Sequence, residues 1–216
     1  SRFYIGLDDT DHPDFGCTTA TFDDLLNLLT KSVDGFVCVE RRLVRLWPFA
    51  ARRTRGNGAL SAIVEVPSYQ AEKLRDICAD FFEDLLLSLE DYLGENSVIS
   101  PVLVISQDGF DEELYYSAVR SEVQIIDIEE KIHVNEYYSG NSKWGLIGAS
   151  AAIAWNPNIY SSWELIAWRS KELIGKKRLV PKEVVAQLDK LHCDTFLNRD
   201  PTIDKGLISP RTPCPV

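Results

Sequence analysis

A chain of 216 residues is long enough for one large domain or two small ones with a hydrophobic core. Its composition, 45% hydrophobic and 26% charged, is ordinary for a globular protein, and no apolar run approaches the roughly 20 residues that a membrane-spanning helix needs. The formal net charge of −10 argues against a protein built around nucleic-acid binding, which usually requires a basic surface.

The cysteine pattern argues against a zinc finger and against a disulfide framework. The five cysteines are odd in number, dispersed and never arranged as CxxC; they are Cys17, Cys38, Cys78, Cys193 and Cys214. With a strand-like N-terminus in place of a signal peptide, this predicts a reducing cytoplasm. Methionine is absent; either the residue is lacking, or modified methionines are left out of the sequence.

The first 94 residues alternate between strand-like and helix-like patterns. A strand is predicted over residues 3–8, and Thr18 or Thr19 is expected to cap a helix running through residues 22–29. Further strands are predicted over residues 36–46 and 60–66, and an amphipathic helix over about residues 68–92.

The segment Gly94 to Ser97 is a turn-like interruption, after which the pattern restarts. The elements predicted after it are strands over 101–106, 123–128 and 163–168, and helices over 111–121, 149–154 and 181–191. We therefore predict an α+β fold of two small α/β-sandwich domains, spanning 1–94 and 95–195, followed by an irregular tail over 196–216.

An acidic loop directly follows the first predicted strand. Asp8, Asp9 and Asp11 place three carboxylates within four positions. Such residues often only cap a turn, but their mutual repulsion would be relieved by a bound cation. Mg²⁺ typically takes one or two carboxylates together with substrate phosphates. This cluster is the predicted metal site.

A helix start follows the acidic loop. Its backbone N–H groups favour an anion, and the hydroxyl of Thr18 or Thr19 would lie within reach of a phosphate. A simple helix cap explains the same residues equally well. The sequence matches neither a Walker A motif nor GxGxxG.

A basic loop follows the second predicted strand. Arginine forks and close backbone approach at glycines suit phosphate, although Asn-Gly also marks an ordinary hairpin. The loop residues expected to contact phosphate are Arg53, Arg55, Gly56, Asn57 and Gly58. Together with the acidic loop, they predict a site for a nucleoside triphosphate and its divalent cation.

The remaining motifs are weaker. The small residues at Gly145 to Ala149 are best explained by tight helix packing, and Glu164 and Arg169 by a charged surface. The three histidines are isolated, which excludes the usual zinc spacing.

Taken together, these segments resemble the archaeal tRNA(Ile) 2-agmatinylcytidine synthetase family. The matching segments occur in the family's order along the chain and cover residues 5–11, 16–19, 42–46, 53–59, 144–149, 164–169 and 212–216. The resemblance implies an ATP-binding kinase-like domain over residues 1–94 and a ferredoxin-like domain over 95–195.

The resemblance also implies a reaction and its residues. ATP would phosphorylate the C2 oxygen of a wobble cytidine, and the amine of agmatine would displace the phosphate. Asp8, Asp9 and Thr18 would be catalytic, with Thr18 in the position of the threonine that the family phosphorylates. Mg²⁺ would be held by Asp8, Asp9 and Asp11, and ATP by Thr19, Arg53, Arg55, Gly56, Asn57 and Gly58.

Three departures keep alternatives open. The family's OB-fold and zinc ribbon are absent, so we expect a truncated or a naturally short relative. The net charge of −10 argues against tRNA as a partner, and the segment from His12 to Phe15 replaces the family's usual continuation. A small-molecule phosphotransferase or ligase without tRNA binding, and a non-catalytic ATP-binding regulatory module, are the alternatives.

Overall fold

A computed structural model of the protein describes residues 1–53, 56–94, 97–132 and 136–156. Within them, five strands form one sheet in the order β2-β3-β1-β4-β5, and every neighbouring pair is antiparallel. The strands are β1 (Arg2–Asp8), β2 (Val37–Arg45), β3 (Gly58–Glu65), β4 (Val102–Ser106) and β5 (Tyr137–Ser139). The central position of β1 means that the acidic loop begins in the middle of the sheet.

Helices cover both faces of this sheet. They are α1 (Thr18–Ser32), α2 (Ala71–Ser88), α3 (Glu112–Arg120), α4 (Ile125–Glu129) and α5 (Gly145–Ala154). On one face, apolar residues of α1 and α2 pack against Phe3, Ile5 and Leu7 of β1. On the other, α3, α4 and α5 pack against Val102 and Val104 of β4. Because both faces are covered, β3 and β4 are almost continuously buried rather than alternating.

The α+β prediction is confirmed, and most elements lie where the sequence placed them. The predicted strand over 123–128 is wrong, because that segment contains most of helix α4. A capping box starts this helix: the Gln124 backbone N–H donates to the Asp127 carboxylate at 3.3 Å, and the Gln124 side chain accepts from the third helical N–H. The short strand β5 was not predicted.

The predicted division at residue 94 differs from the structure. Strand β4 follows that position yet pairs with β1, placing Ile105 opposite Ile5 in the same sheet. The first compact unit accordingly runs from Ser1 to Asn156. The predicted elements over 163–168 and 181–191, the remainder of the predicted ferredoxin-like domain and the predicted tail lie outside the described residues. In the described part of the chain, no helix is both long and apolar enough to cross a bilayer.

Candidate active site

The acidic loop turns sharply at the end of β1. Asp9 has a φ of 59°, in the left-handed region that Asp tolerates better than most residues. Its backbone N–H donates to Oδ1 of Asp8 at 2.8 Å, and its carbonyl accepts from the Ser100 N–H at 3.3 Å. The turn therefore holds two consecutive carboxylates beside the centre of the sheet.

Protein atoms closely surround both carboxylates, and this changes their acidity. Burial, followed by the charge of Asp9, raises the pKa of Asp8 well above its ordinary value. Burial, followed by the charge of Asp11, raises the pKa of Asp9 to about 7, while the Ser100 backbone and Arg52 oppose the rise. Ionising both groups here is costly, and a bound cation would offset that cost.

The third carboxylate of the loop has a different contact. Oδ1 of Asp11 accepts a hydrogen bond from the Thr18 hydroxyl at 2.9 Å. Within the described ranges, no three Asp, Glu, His or Cys side chains are arranged to hold a metal ion by themselves. Asp8 and Asp9 nevertheless fit Mg²⁺, which commonly combines one or two carboxylates with substrate phosphates. Coordination by all three carboxylates stays a prediction.

Helix α1 begins beside the acidic loop without a side-chain cap. Its N-cap residue is Cys17, and its first turn carries no acidic residue. The expectation that Thr18 or Thr19 caps the helix is therefore wrong: Thr18 is the first helical residue, and its hydroxyl bonds to Asp11 and accepts from the Thr10 hydroxyl at 3.2 Å. A helix N-terminus of this kind favours an anion.

The basic loop is closed by one of its predicted phosphate ligands. Asn57 has a φ of 41°, its side chain donates to the Trp47 carbonyl at 2.5 Å, and its own carbonyl accepts from the Leu46 N–H at 2.9 Å. These contacts join the two ends of the loop. The guanidinium of Arg45 donates to the Gly56 carbonyl at 3.2 Å, and a methyl group on Gly56 would lie 2.6 Å from that guanidinium.

The other predicted residues of this loop divide into two groups. Arg53 is exposed at the surface and donates to the Ala50 carbonyl at 2.9 Å. Arg55 and its neighbour Thr54 lie outside the described residues. The contacts of Thr19, Arg53, Arg55, Gly56, Asn57 and Gly58 with a nucleotide stay predictions.

Arg52, which the sequence analysis did not single out, connects the basic loop to the acidic loop. Its guanidinium donates to the Ser97 carbonyl at 2.7 Å, lies 5.0 Å from the centroid of the Trp144 ring, and interacts favourably with the charge of Asp9. Its position beside two other arginines was the only signal in the sequence. The two predicted loops therefore meet in space through this residue.

Ser100 is a second residue that the sequence analysis missed. It is buried, and it makes three hydrogen bonds to two segments of the site. Its N–H donates to the Asp9 carbonyl, its hydroxyl accepts from the Trp144 N–H at 2.9 Å, and its carbonyl accepts from the Gly145 N–H at 3.1 Å. One residue thus fixes the acidic loop and the start of α5 relative to each other.

The arginines of β2 are engaged elsewhere. Arg41 forms an ion pair with Asp23 at 2.5 Å, and Arg42 forms one with Glu40 at 2.8 Å. Of the described arginines between positions 41 and 53, Arg42 is buried, whereas Arg41, Arg45, Arg52 and Arg53 are exposed.

The segment that departs from the family pattern is packed by aromatic rings. His12 stacks on Phe15 with ring centroids 4.7 Å apart, and Phe15 packs against Tyr92 at 4.6 Å. These contacts hold the loop that carries Asp11 against the turn after α2.

Two family models match the chain in succession. The TiaS TCKD domain matches residues 4–141, and the TiaS FLD domain matches residues 143–216. The isoleucine-tRNA 2-agmatinylcytidine synthetase TiaS from Methanocaldococcus jannaschii is 32% identical over 225 residues, covering 99% of this chain and 51% of the relative. Its namesake from Staphylothermus marinus is 31% identical, covering 99% and 48%.

Solved structures agree with these sequence matches. A crystal structure of TiaS in complex with its isoleucine tRNA and ATP has a TM-score of 0.66 and 27% identity, covering all of this chain and 51% of the other. A complex of TiaS with the same tRNA, AMPCPP and agmatine has a TM-score of 0.63 and 25% identity, with the same coverage. The chain spans about half the length of the curated relatives it matches.

Proposed function

The chain belongs to the TiaS family, and we propose that it uses ATP to activate a cytidine of an isoleucine tRNA for attachment of agmatine. A phosphoryl group of ATP moves to the C2 oxygen of the base. The amine nitrogen of agmatine then forms a bond to C2, and the phosphate leaves with that oxygen. A poor leaving group becomes a good one, which is why a nucleotide is consumed.

The meeting of the two loops is the observation that carries this proposal. Arg52 of the basic loop donates to the Ser97 carbonyl at 2.7 Å, three residues before Ser100, whose N–H donates to the Asp9 carbonyl at 3.3 Å, and the charge of Arg52 acts on Asp9. An arginine suited to phosphate is thereby held near the carboxylates suited to a cation. Asp8 and Asp9 would hold Mg²⁺, which when bound neutralises phosphate charge. Arg52 and Arg53, with the uncapped start of α1, would bind the phosphates themselves.

Thr18 and Asp11 form a donor–acceptor pair suited to transfer of a phosphoryl group. The Thr18 hydroxyl already donates to Oδ1 of Asp11 at 2.9 Å, while the Thr10 hydroxyl donates to the Thr18 oxygen at 3.2 Å. If Thr18 accepts phosphate, as the family resemblance implies, its oxygen forms the new bond to phosphorus, the bond from that phosphorus to the rest of the ATP breaks so that the remaining nucleotide leaves, and the hydroxyl proton passes to Asp11. Asp11 would then act as a base rather than as a metal ligand.

The acceptor is assigned from the relatives rather than from the described residues of this chain. Crystal structures of TiaS relatives contain an isoleucine tRNA, ATP and agmatine, which favours these partners over the small-molecule and regulatory alternatives. The net charge of −10 gives no general attraction for RNA. Binding of tRNA by this chain should therefore depend on local contacts, and its salt dependence should report how many phosphates those contacts neutralise.

The proposal is tested by measuring ATP consumption together with attachment of radiolabelled agmatine to the isoleucine tRNA. We expect both to require all three substrates. The Asp8→Asn variant should lose both, because it removes a carboxylate from the proposed Mg²⁺ site. Consumption of ATP with metabolites but without tRNA would instead identify a small-molecule enzyme. ATP binding without turnover under any of these conditions would identify a regulatory module.

A further inference from the structure

Helix α5 approaches the Asp8 carboxylate more closely than any residue but glycine allows. A methyl group placed on Gly148 would lie 2.7 Å from Cγ of Asp8, closer still to Oδ2, and 3.0 Å from Cδ1 of Leu46. Carbon atoms in proteins do not approach carboxylate atoms so closely, because repulsion rises steeply below van der Waals contact. The Asp8 carboxylate therefore occupies the space that a side chain at position 148 would fill.

Helix α5 is anchored along its length and cannot move aside to make room. At its start, the Gly145 N–H donates to the Ser100 carbonyl at 3.1 Å. In its later turns, the Ser61 hydroxyl donates to the Ala152 carbonyl at 2.7 Å. The buried guanidinium of Arg42 donates to the carbonyls of Ile153 at 3.2 Å and Trp155 at 2.6 Å.

The strand that carries Asp8 is equally fixed. A methyl group on Gly6 would lie 3.0 Å from the carbonyl carbon of Ala149 and closer to its oxygen, so β1 and α5 are in direct backbone contact. With both backbones immobile, a larger residue at position 148 would have to displace the Asp8 side chain by rotation. A short side chain has few staggered positions, so this displacement would be about an ångström or more.

We propose that Gly148 is a positioning residue that sets where the Asp8 carboxylate points. The effect on catalysis rests on the proposed function, whereas the packing of Gly148 against Asp8 does not. Gly148 touches no substrate and acts through Asp8. Tight packing, which the sequence predicted for this glycine, therefore also orients a carboxylate of the acidic loop.

The variant Gly148→Ala tests this role. We expect it to fold, because the clash is with the end of a side chain, and to lower kcat/KM by about 100-fold, as displacement of a reacting group by about 1 Å can do. The Mg²⁺ concentration that gives half-maximal ATP binding should rise by at least about tenfold, since a displaced carboxylate binds the cation poorly. Titration calorimetry measures this without turnover.

Two other glycines serve as matched controls. Nothing lies within 4 Å of a methyl group on Gly94, so Gly94→Ala should leave the Mg²⁺ dependence and stability unchanged. A methyl group on Gly145 would lie 2.5 Å from the Ser100 carbonyl oxygen, which belongs to the backbone. Gly145→Ala should therefore lower the amount of folded protein, unlike Gly148→Ala.

A double-mutant cycle on metal-free protein gives a readout that does not involve activity. In the wild-type background, Gly148→Ala should lower Tm by about 5 °C. In an Asp8→Ala background the carboxylate is gone, and Gly148→Ala should lower Tm by less than half as much. This cycle keeps the test informative even when Gly148→Ala folds poorly.

Two results would overturn the inference: an unchanged Mg²⁺ requirement in Gly148→Ala, or an equal loss of Tm in both backgrounds. Failure of the proposed function looks different. In that case agmatine would not be attached to the isoleucine tRNA by the unmodified protein, while the Tm coupling and the shifted Mg²⁺ dependence would still support the role of Gly148.

Discussion

Replacing Asp9 by Asn should stabilise the metal-free protein while abolishing its function. Asn has the same shape and tolerates the left-handed backbone at φ 59°, so the turn is preserved. The change removes a carboxylate that is costly to ionise, because burial and the charge of Asp11 raise its pKa to about 7. The predicted gain is therefore electrostatic.

The size of the gain follows from the acidity. A rise in pKa from 3.8 to about 7 corresponds to about 4 kcal/mol, at about 1.4 kcal/mol for each pH unit. Asp9 is partly exposed to solvent and its charge interacts with that of Asp8. For these reasons the expected gain in the free energy of unfolding is lower, about 2 kcal/mol. For a chain of this size, that gain would raise Tm by about 5 °C.

The sign of the pH dependence follows from proton binding. The folded protein holds the Asp9 proton more tightly than the unfolded chain does, so protonation favours folding. This contribution is fully present below pH 3.8 and is lost as pH rises to about 7. Asp9→Asn should accordingly match the wild type near pH 4, and exceed it in stability at about pH 8.

Urea unfolding of both proteins in EDTA, at several pH values, measures this difference. The control is Asp14→Asn in the same segment, whose side chain is 88% exposed and whose replacement should change the free energy of unfolding by less than about 0.5 kcal/mol. An Asp9→Asn protein no more stable than the wild type at about pH 8 would refute the electrostatic reasoning.

Three further predictions concern other contacts. Arg52→Gln should weaken ATP binding about tenfold, as measured by calorimetry, because a charged hydrogen-bond donor is lost. The matched change Arg2→Gln, in an exposed ion pair with Glu65, should have no effect on ATP binding. Equal ATP affinities of Arg52→Gln and the wild type would refute the phosphate role of Arg52. Arg42→Ala should lower the free energy of unfolding in urea by about 3 kcal/mol, because it leaves Glu40 and the end of α5 without their partner. Arg41→Ala, which breaks a half-exposed ion pair, should lower it by less than about 1 kcal/mol. Similar losses in the two variants would contradict the anchoring role of Arg42. Burial raises the pKa of the Cys78 thiol to about 12. Iodoacetamide should therefore modify the partly accessible Cys17 and Cys38, but Cys78 only once the protein unfolds. Mass spectrometry of the native protein after treatment shows which cysteines are modified, and modification of Cys78 would contradict the prediction.

Local patterns in the sequence identified much of the fold and the acidic part of the site. Strand β1 and the Asp cluster after it are neighbours in the chain, so alternation of side chains and charge were enough to find them. Helix α4 was missed because its apolar residues also fit a short strand, and only the capping box distinguishes the two. So short a helix gives too little periodicity to decide.

Long-range contacts were beyond the reach of such patterns. The turn-like segment at Gly94 suggested a domain boundary, but β4, which follows it, returns to pair with β1, so the segment lies within the first compact unit. The contact of Arg52 with Ser97 joins residues 45 positions apart, and that of Gly148 with Asp8 spans most of the described chain. Only the order of strands in the sheet brings these residues together.

The position of α5 has a consequence for how relatives of this chain can exchange parts. By sequence the helix falls within the match to the TiaS FLD domain, which begins at residue 143, yet it folds within the unit that ends at Asn156. The boundary between the two sequence matches and the end of the first compact unit therefore fall at different places in the chain. A chimera joined just before residue 143 would supply the acidic strand from one parent and its covering helix from the other. Chimeras joined after Asn156 should keep the two matched, and so tolerate far more divergent partners.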